Sequence, residues 1–82
     1  MSDIFDYTQP MTAYDLVGWR DEFGVTQIQA GLLLGVSERT ICYYESGKRP
    51  IPLAVQISCE FYRGCSKALI NDIIEYRGLG VC

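Results

Sequence analysis

Apolar residues in this chain recur at helical intervals, in short runs separated by glycine. Between Thr12 and Gly24 the apolar positions Tyr14, Leu16, Val17 and Trp19 fit a helix over roughly residues 13–23. Thr12 is placed to cap it, with Asp15 three residues later as the capping acid. Gly24 suits a left-handed C-terminal cap. Thr26 opens a second helix over roughly 27–34, with Ile28, Ala30, Leu32, Leu33 and Leu34 as its apolar set and Gly35 at its end. Gly31 inside it costs about 1 kcal/mol against alanine, which close approach of a neighbouring helix would explain. Ser37 caps a third helix over roughly 38–46, which Gly47 stops.

The segment Lys48 to Pro52 reads as a stiff loop, because each proline biases the residue before it toward extended geometry. Pro52 suits the first turn of a fourth helix running to about Arg63, which Gly64 breaks. Ser66 caps a fifth over roughly 67–77, with Gly78 and Gly80 closing it. There is no convincing strand, although Ile4, Phe5 and Tyr7 would allow a short one near the N-terminus. The expectation is an all-α bundle of about five short helices. Residues 1–11 form an arm, 12–65 a helical domain and 66–82 a C-terminal helix.

Two short helices across the turn Gly35-Val36-Ser37 make a helix-turn-helix unit by length alone. On the third helix Ile41 and Tyr44 share one face and, with Val36, should pack on the first, second and fourth helices. The opposite face then shows Glu38, Arg39, Cys42 and Tyr43, with Thr40 in the first turn. Such a face suits a helix entering the major groove N-terminus first. Arg39 can fork onto guanine O6 and N7, and Glu38 can accept from cytosine N4, each discriminating by about 1–3 kcal/mol. A merely solvated surface helix shares these features, and neighbouring Glu and Arg are common on one. The surrounding residues separate the two readings.

The stretch VTQIQAGLLLGVSERTICYYESGKRPIP, residues 25–52, resembles the DNA-binding helix-turn-helix of lambda-repressor- and Cro-like proteins. The likeness lies in Thr26-Gln27, Gly35-Val36-Ser37, Thr40-Ile41, and Glu45, Gly47, Lys48 and Arg49 with proline after them. It covers roughly residues 13–62. It implies that Gln27 touches a phosphate and steadies the first recognition residue. Glu38 and Arg39 take the base-reading positions, and Cys42 and Tyr43 the second-turn positions facing the groove. Ser46, Lys48 and Arg49 belong to the segment that grips phosphates, with Ser37 and Thr40 as further phosphate contacts. Arg20 and Glu45 match a buried ion pair that locks the first helix to the third. The chain departs from the family at Gly31, where alanine is usual, and at Ala30, where a larger residue is usual. Glu38 opens the recognition helix where glutamine or serine is commoner, and a carboxylate there can act by rejecting wrong bases.

Charge distribution changes the picture more than the total does. The 82 residues carry a net −3, which alone argues against a polyanionic partner. Residues 1–22 hold Asp3, Asp6, Asp15, Asp21 and Glu22 against Arg20, a net −4. Residues 23–67 hold Arg39, Lys48, Arg49, Arg63 and Lys67 against Glu38, Glu45 and Glu60, a net +2. DNA should therefore meet the middle of the chain, with salt-sensitive binding.

On the fifth helix Leu69, Ile70, Ile73 and Ile74 form one apolar stripe, which either closes the core or makes a dimer interface. A symmetric dimer would set two recognition helices about 34 Å apart, one turn of DNA. Hydrophobic residues make up 49% of the chain, enough in one small domain for both a core and a subunit contact. Cys42, Cys59, Cys65 and Cys82 include no C-x-x-C and have no histidine beside them, so no zinc site is expected, and they read as free thiols. No basic leader, no apolar run of about 20 residues and no nucleophile with an evident base is present.

The expectation is a cytoplasmic, non-enzymatic homodimer in a bacterial or phage-infected cell. It would need no cofactor and no metal, and would act as a repressor on an inverted repeat in double-stranded DNA. The alternative is an antitoxin-type or adaptor module whose helix-turn-helix mainly binds another protein, a toxin or a co-regulator.

Overall fold

Five α-helices carry the chain in a computed structural model that describes residues 9–78. They are α1 (Ala13–Phe23), α2 (Gln27–Leu34), α3 (Glu38–Ser46), α4 (Leu53–Arg63) and α5 (Lys67–Gly78). No strand occurs among the described residues. The short strand expected at Ile4, Phe5 and Tyr7, most of the arm, Gly80 and Cys82 lie outside them.

The helix starts follow from local chemistry. Thr12 and Asp15 form the reciprocal capping box, at 3.1 and 3.0 Å. Thr26 and Gln29 form a second one that opens α2. Ser37 Oγ accepts from the Thr40 amide at 3.1 Å and starts α3. Each cap satisfies amides that a helix start leaves without partners. The ends of α1, α2 and α3 use the left-handed conformation of Gly24, Gly35 and Gly47, which a side chain would strain.

Trp19, Leu16 and Ile41 are fully buried and centre the core. Trp19 donates from Nε1 to the Cys59 carbonyl at 3.0 Å, which ties α1 to α4. Tyr62 donates to the Leu33 carbonyl at 2.7 Å, which ties α4 to α2. Both aromatics thus bury their rings and still satisfy their polar atoms. Two apolar positions behave otherwise than expected: Tyr14 is 86% exposed on α1 and Ile28 54% exposed on α2. Periodicity marks which residues share a face, but not how wide a strip the neighbours cover.

The stripe on α5 takes the first of its two expected roles, closing the core. Ile70 is buried in the core, with Ile73 and Ile74 partly buried against it. Of the four residues assigned to a dimer interface, only Leu69 stands exposed. The stripe closes this chain's own core, because α5 lies along α2. Arg77 reaches across and donates to the Leu32 and Leu33 carbonyls at 2.7 and 3.0 Å. These are last-turn carbonyls of α2, which lack helical partners and favour a cation.

Gly31 is corrected in its cause. The close neighbour is the turn after α2, not another helix. A Cβ on Gly31 would lie 2.5 Å from the Val36 carbonyl oxygen. The Gly31 carbonyl itself accepts from the amides of Gly35 and Val36, at 2.8 and 3.0 Å. The turn folds back onto α2 at a point where only glycine leaves room.

Candidate functional site

The third helix is held by one face and by one hydrogen-bonded chain. Its inner residues Ile41 and Tyr44 are buried. At its C-terminal half, Glu45 takes a bidentate pair from Arg20, Nε to Oε2 at 2.7 Å and Nη2 to Oε1 at 3.1 Å. The remaining Arg20 nitrogen, Nη1, donates to the Val25 carbonyl at 3.1 Å. Gln27 Nε2 adds a third donor to Glu45 at 2.9 Å. Gln27 Oε1 in turn accepts from the Cys42 thiol at 3.2 Å. A continuous path therefore runs from α1 through the base of α2 to the outer side of α3. The acceptor at one end and the thiol donor at the other fix which way the Gln27 amide points.

This network decides the local charge. Burial pushes the Glu45 carboxyl up from its ordinary 4.5, but the hydrogen bonds from Arg20 and Gln27 and the guanidinium charge reverse that and leave it lowered. The Glu45 hydrogen bond likewise pushes the Arg20 guanidinium up, against the opposing effect of burial. Glu45 is thus an anion already matched by a cation.

The expected readers occupy distinct settings. Glu38, Arg39 and Cys42 are exposed on the outer face of α3. Arg39 makes no ion pair among the described residues, nor do Lys48 and Arg49. Tyr43, which the resemblance puts in the second turn facing the groove, is half-buried. Its ring lies under Arg49 Cζ at 4.9 Å and Lys48 Nζ at 5.9 Å, within cation–π range. Tyr43, Lys48 and Arg49 line a shallow depression of about 250 Å³. The Tyr43 carbonyl also accepts from the Lys48 amide at 2.9 Å and from Ser46 Oγ at 3.1 Å, which shapes the loop.

Four expected phosphate contacts already have partners. Ser37 and Thr40 bond each other through their hydroxyls at 2.9 Å. Ser46 directs its proton to Tyr43. Gln27 spends its contacts on Glu45 and Cys42 and does not steady Glu38, and one of its amide protons is left to donate outward. Arg77 and Tyr62, which set the end of α2 and so the start of the turn to α3, carry no local sequence signal for that role.

A larger cleft of about 550 Å³ lies between α1 and α4. Asp15, Glu22 and Glu60 line it beside Arg63, with Trp19 and Cys59 behind, and no residue of α2 or α3 takes part. Its acidic rim is opposite in sign to the Arg39, Lys48 and Arg49 surface. Burial, offset only in part by Arg63, pushes the Cys59 thiol up to about 12. We expect a thiol-alkylating reagent to modify Cys42 in the native protein and Cys59 only at the rate of unfolding. Mass spectrometry of the digested protein over time measures this. Equal rates at both cysteines would contradict the burial of Cys59.

Among the described residues no helix is long and apolar enough to cross a membrane, and no group of three or more potential ligands is placed to hold a metal. Comparison with models of known protein families, with curated proteins and with solved structures gives no significant match.

Proposed function

We propose that α2 and α3 act as a helix-turn-helix and that the chain is a dimeric, sequence-specific regulator that reads double-stranded DNA through the major groove. One observation carries this reading. The outer face of α3 holds Glu38, Arg39 and Cys42 exposed, with Lys48 and Arg49 beyond its end, while its one further acid, Glu45, is already paired with Arg20. The surface around α3 is therefore cationic in a protein that is acidic overall.

In this reading Arg39 and Glu38 meet base edges, and Lys48 and Arg49 meet phosphates. The Tyr43 ring beneath the two cations holds them near one position, so less side-chain freedom is lost when they meet a phosphate. Occluding a promoter at an inverted repeat would make the protein a repressor.

The reading is tested by selecting bound sequences from random duplex DNA, where enrichment of an inverted repeat is the expected result. On the selected site Arg39→Ala should lose about tenfold in affinity, roughly 1.4 kcal/mol, and relax specificity at one position. Lys48→Ala should weaken all sequences about equally and reduce the salt slope by about 1. Titrations by fluorescence anisotropy at several salt concentrations separate the two effects. An Arg39→Ala protein that binds as tightly as wild type would remove α3 from the groove. No enrichment at all would favour the other reading, a module that binds protein, to which the exposed Leu53, Ile57 and Phe61 of α4 lend support.

A further inference from the structure

The cleft between α1 and α4 has no role in the reading above, yet both of its walls are shaped for a ligand. On α1, Asp15, Gly18 and Glu22 stand three and four residues apart and so share the face that lines it. Gly18 sits in mid-helix, where glycine costs about 1 kcal/mol against alanine. No packing contact requires it, because a Cβ at this position would meet nothing within 4 Å. Its effect is to leave the wall open between two carboxylates. On α4, Glu60 and Arg63 line the opposite side, and Arg63 is held between Glu60 at 3.2 Å and Glu22 at 3.6 Å. Three carboxylates thus stand around the cleft against one guanidinium.

The interior of the cleft offers one acceptor on an apolar ground. Met11 is half-buried and Tyr14 is 86% exposed, and Trp19 lies behind them with its indole N–H engaged by the Cys59 carbonyl. Gln56 is only 5% exposed and lines the cleft. Its Nε2 donates to the Gln9 carbonyl at 2.9 Å, which fixes the amide with Oε1 turned the other way. Among the described residues Oε1 accepts no hydrogen bond, and no side-chain oxygen is sealed in without a partner, so this acceptor opens into the cleft.

We propose that the cleft binds a small organic cation, an apolar or aromatic body carrying a protonated nitrogen. The nitrogen donates to Gln56 Oε1, the excess of carboxylates balances its charge, and the body rests against Met11 and the Tyr14 ring. A cleft of about 550 Å³ is of the size that small-molecule sites have. An anion would be repelled by three carboxylates, and the one guanidinium is already shared between two of them. A neutral molecule would leave the charge excess unanswered. The site is independent of the DNA reading, because no residue of α2 or α3 lines it.

Phenethylamine serves as the probe, with phenethyl alcohol and phenylacetate as its neutral and anionic counterparts. Heteronuclear NMR of the full chain reads binding at Trp19, the sole tryptophan and hence the one indole cross-peak. Phenethylamine should shift that peak saturably, with half-saturation at about 1 mM or below for a ligand of this size. The alcohol and the acid should bind at least tenfold more weakly. Gly18→Leu should lose at least tenfold in affinity by filling the open wall, with Tm unchanged or raised because leucine is the better helix former. Glu22→Gln should weaken binding several-fold and flatten its dependence on salt. The proposal is overturned by the absence of a saturable shift, by an alcohol that binds as well as the amine, or by unchanged affinity in either variant.

Discussion

Replacing Glu45 with alanine should lower stability by about 3 kcal/mol, a large fraction of what a domain of this size holds. The substitution strands two groups at once. Arg20, whose side chain is only 20% exposed, keeps the Val25 carbonyl but loses both carboxylate contacts. Gln27 loses the acceptor that orients its amide. The cost comes from these unmatched donors more than from any net value of the pair, so a double replacement, Arg20→Met with Glu45→Leu, should recover much of the loss. Chemical denaturation of the three proteins measures this, and a double variant no better than Glu45→Ala would refute the argument.

The same carboxyl gives a pH dependence with a definite sign. Its folded-state value lies below the ordinary 4.5, so its contribution is fully present above about pH 4.5 and fades as pH falls through the folded-state value. Glu45→Gln should flatten the fall of Tm in that acid range while starting from a lower Tm at neutral pH. Parallel curves for the two proteins would assign the acid sensitivity to other carboxylates.

The second large effect is expected from Gly31→Ala, with a net loss of about 2 kcal/mol. In an open helix this change would stabilise by about 1 kcal/mol through propensity. Here the new methyl would meet the Val36 carbonyl oxygen at 2.5 Å, and a backbone atom in a capped three-residue turn has little room to move. Overpacking of this kind costs about 1–3 kcal/mol or more. Relief by shifting the turn would tilt α3, so on the reading proposed above DNA binding should fall further than the lost stability accounts for. Urea melts give the first quantity and titrations well below Tm the second. A stabilised Gly31→Ala protein would mean that the turn yields readily.

The helices were legible in the sequence because their signals are local. Thr12 with Asp15, Thr26 and Ser37 each act within three residues of themselves, and Gly24, Gly35 and Gly47 mark the ends. Contacts between distant residues were less accessible. Arg20 and Glu45 are 25 positions apart and no periodicity joins them; a family resemblance suggested the pair. Arg77 and Leu33, 44 apart, had no such guide. Apolar stripes misled in a consistent way. The α5 stripe could close the core or meet a partner, because spacing shows that a helix has an apolar face and not which neighbour meets it. Tyr43 was read with Cys42 as a second-turn residue facing the groove. Its pairing with Lys48 and Arg49 depends on how the loop turns back, which Gly47 decides.

The reach of Arg77 has a consequence for how the chain is made. The α2 carbonyls that it engages leave the ribosome 44 and 45 residues before it does. Until then the end of α2, and the turn that aims α3, lack this anchor and the cover of Ile70. A nascent chain carrying α1 to α4 already holds Tyr62 on the Leu33 carbonyl and Arg20 on Glu45, so α5 should dock onto an α2–α3 pair whose direction is set and add the last tie to its end.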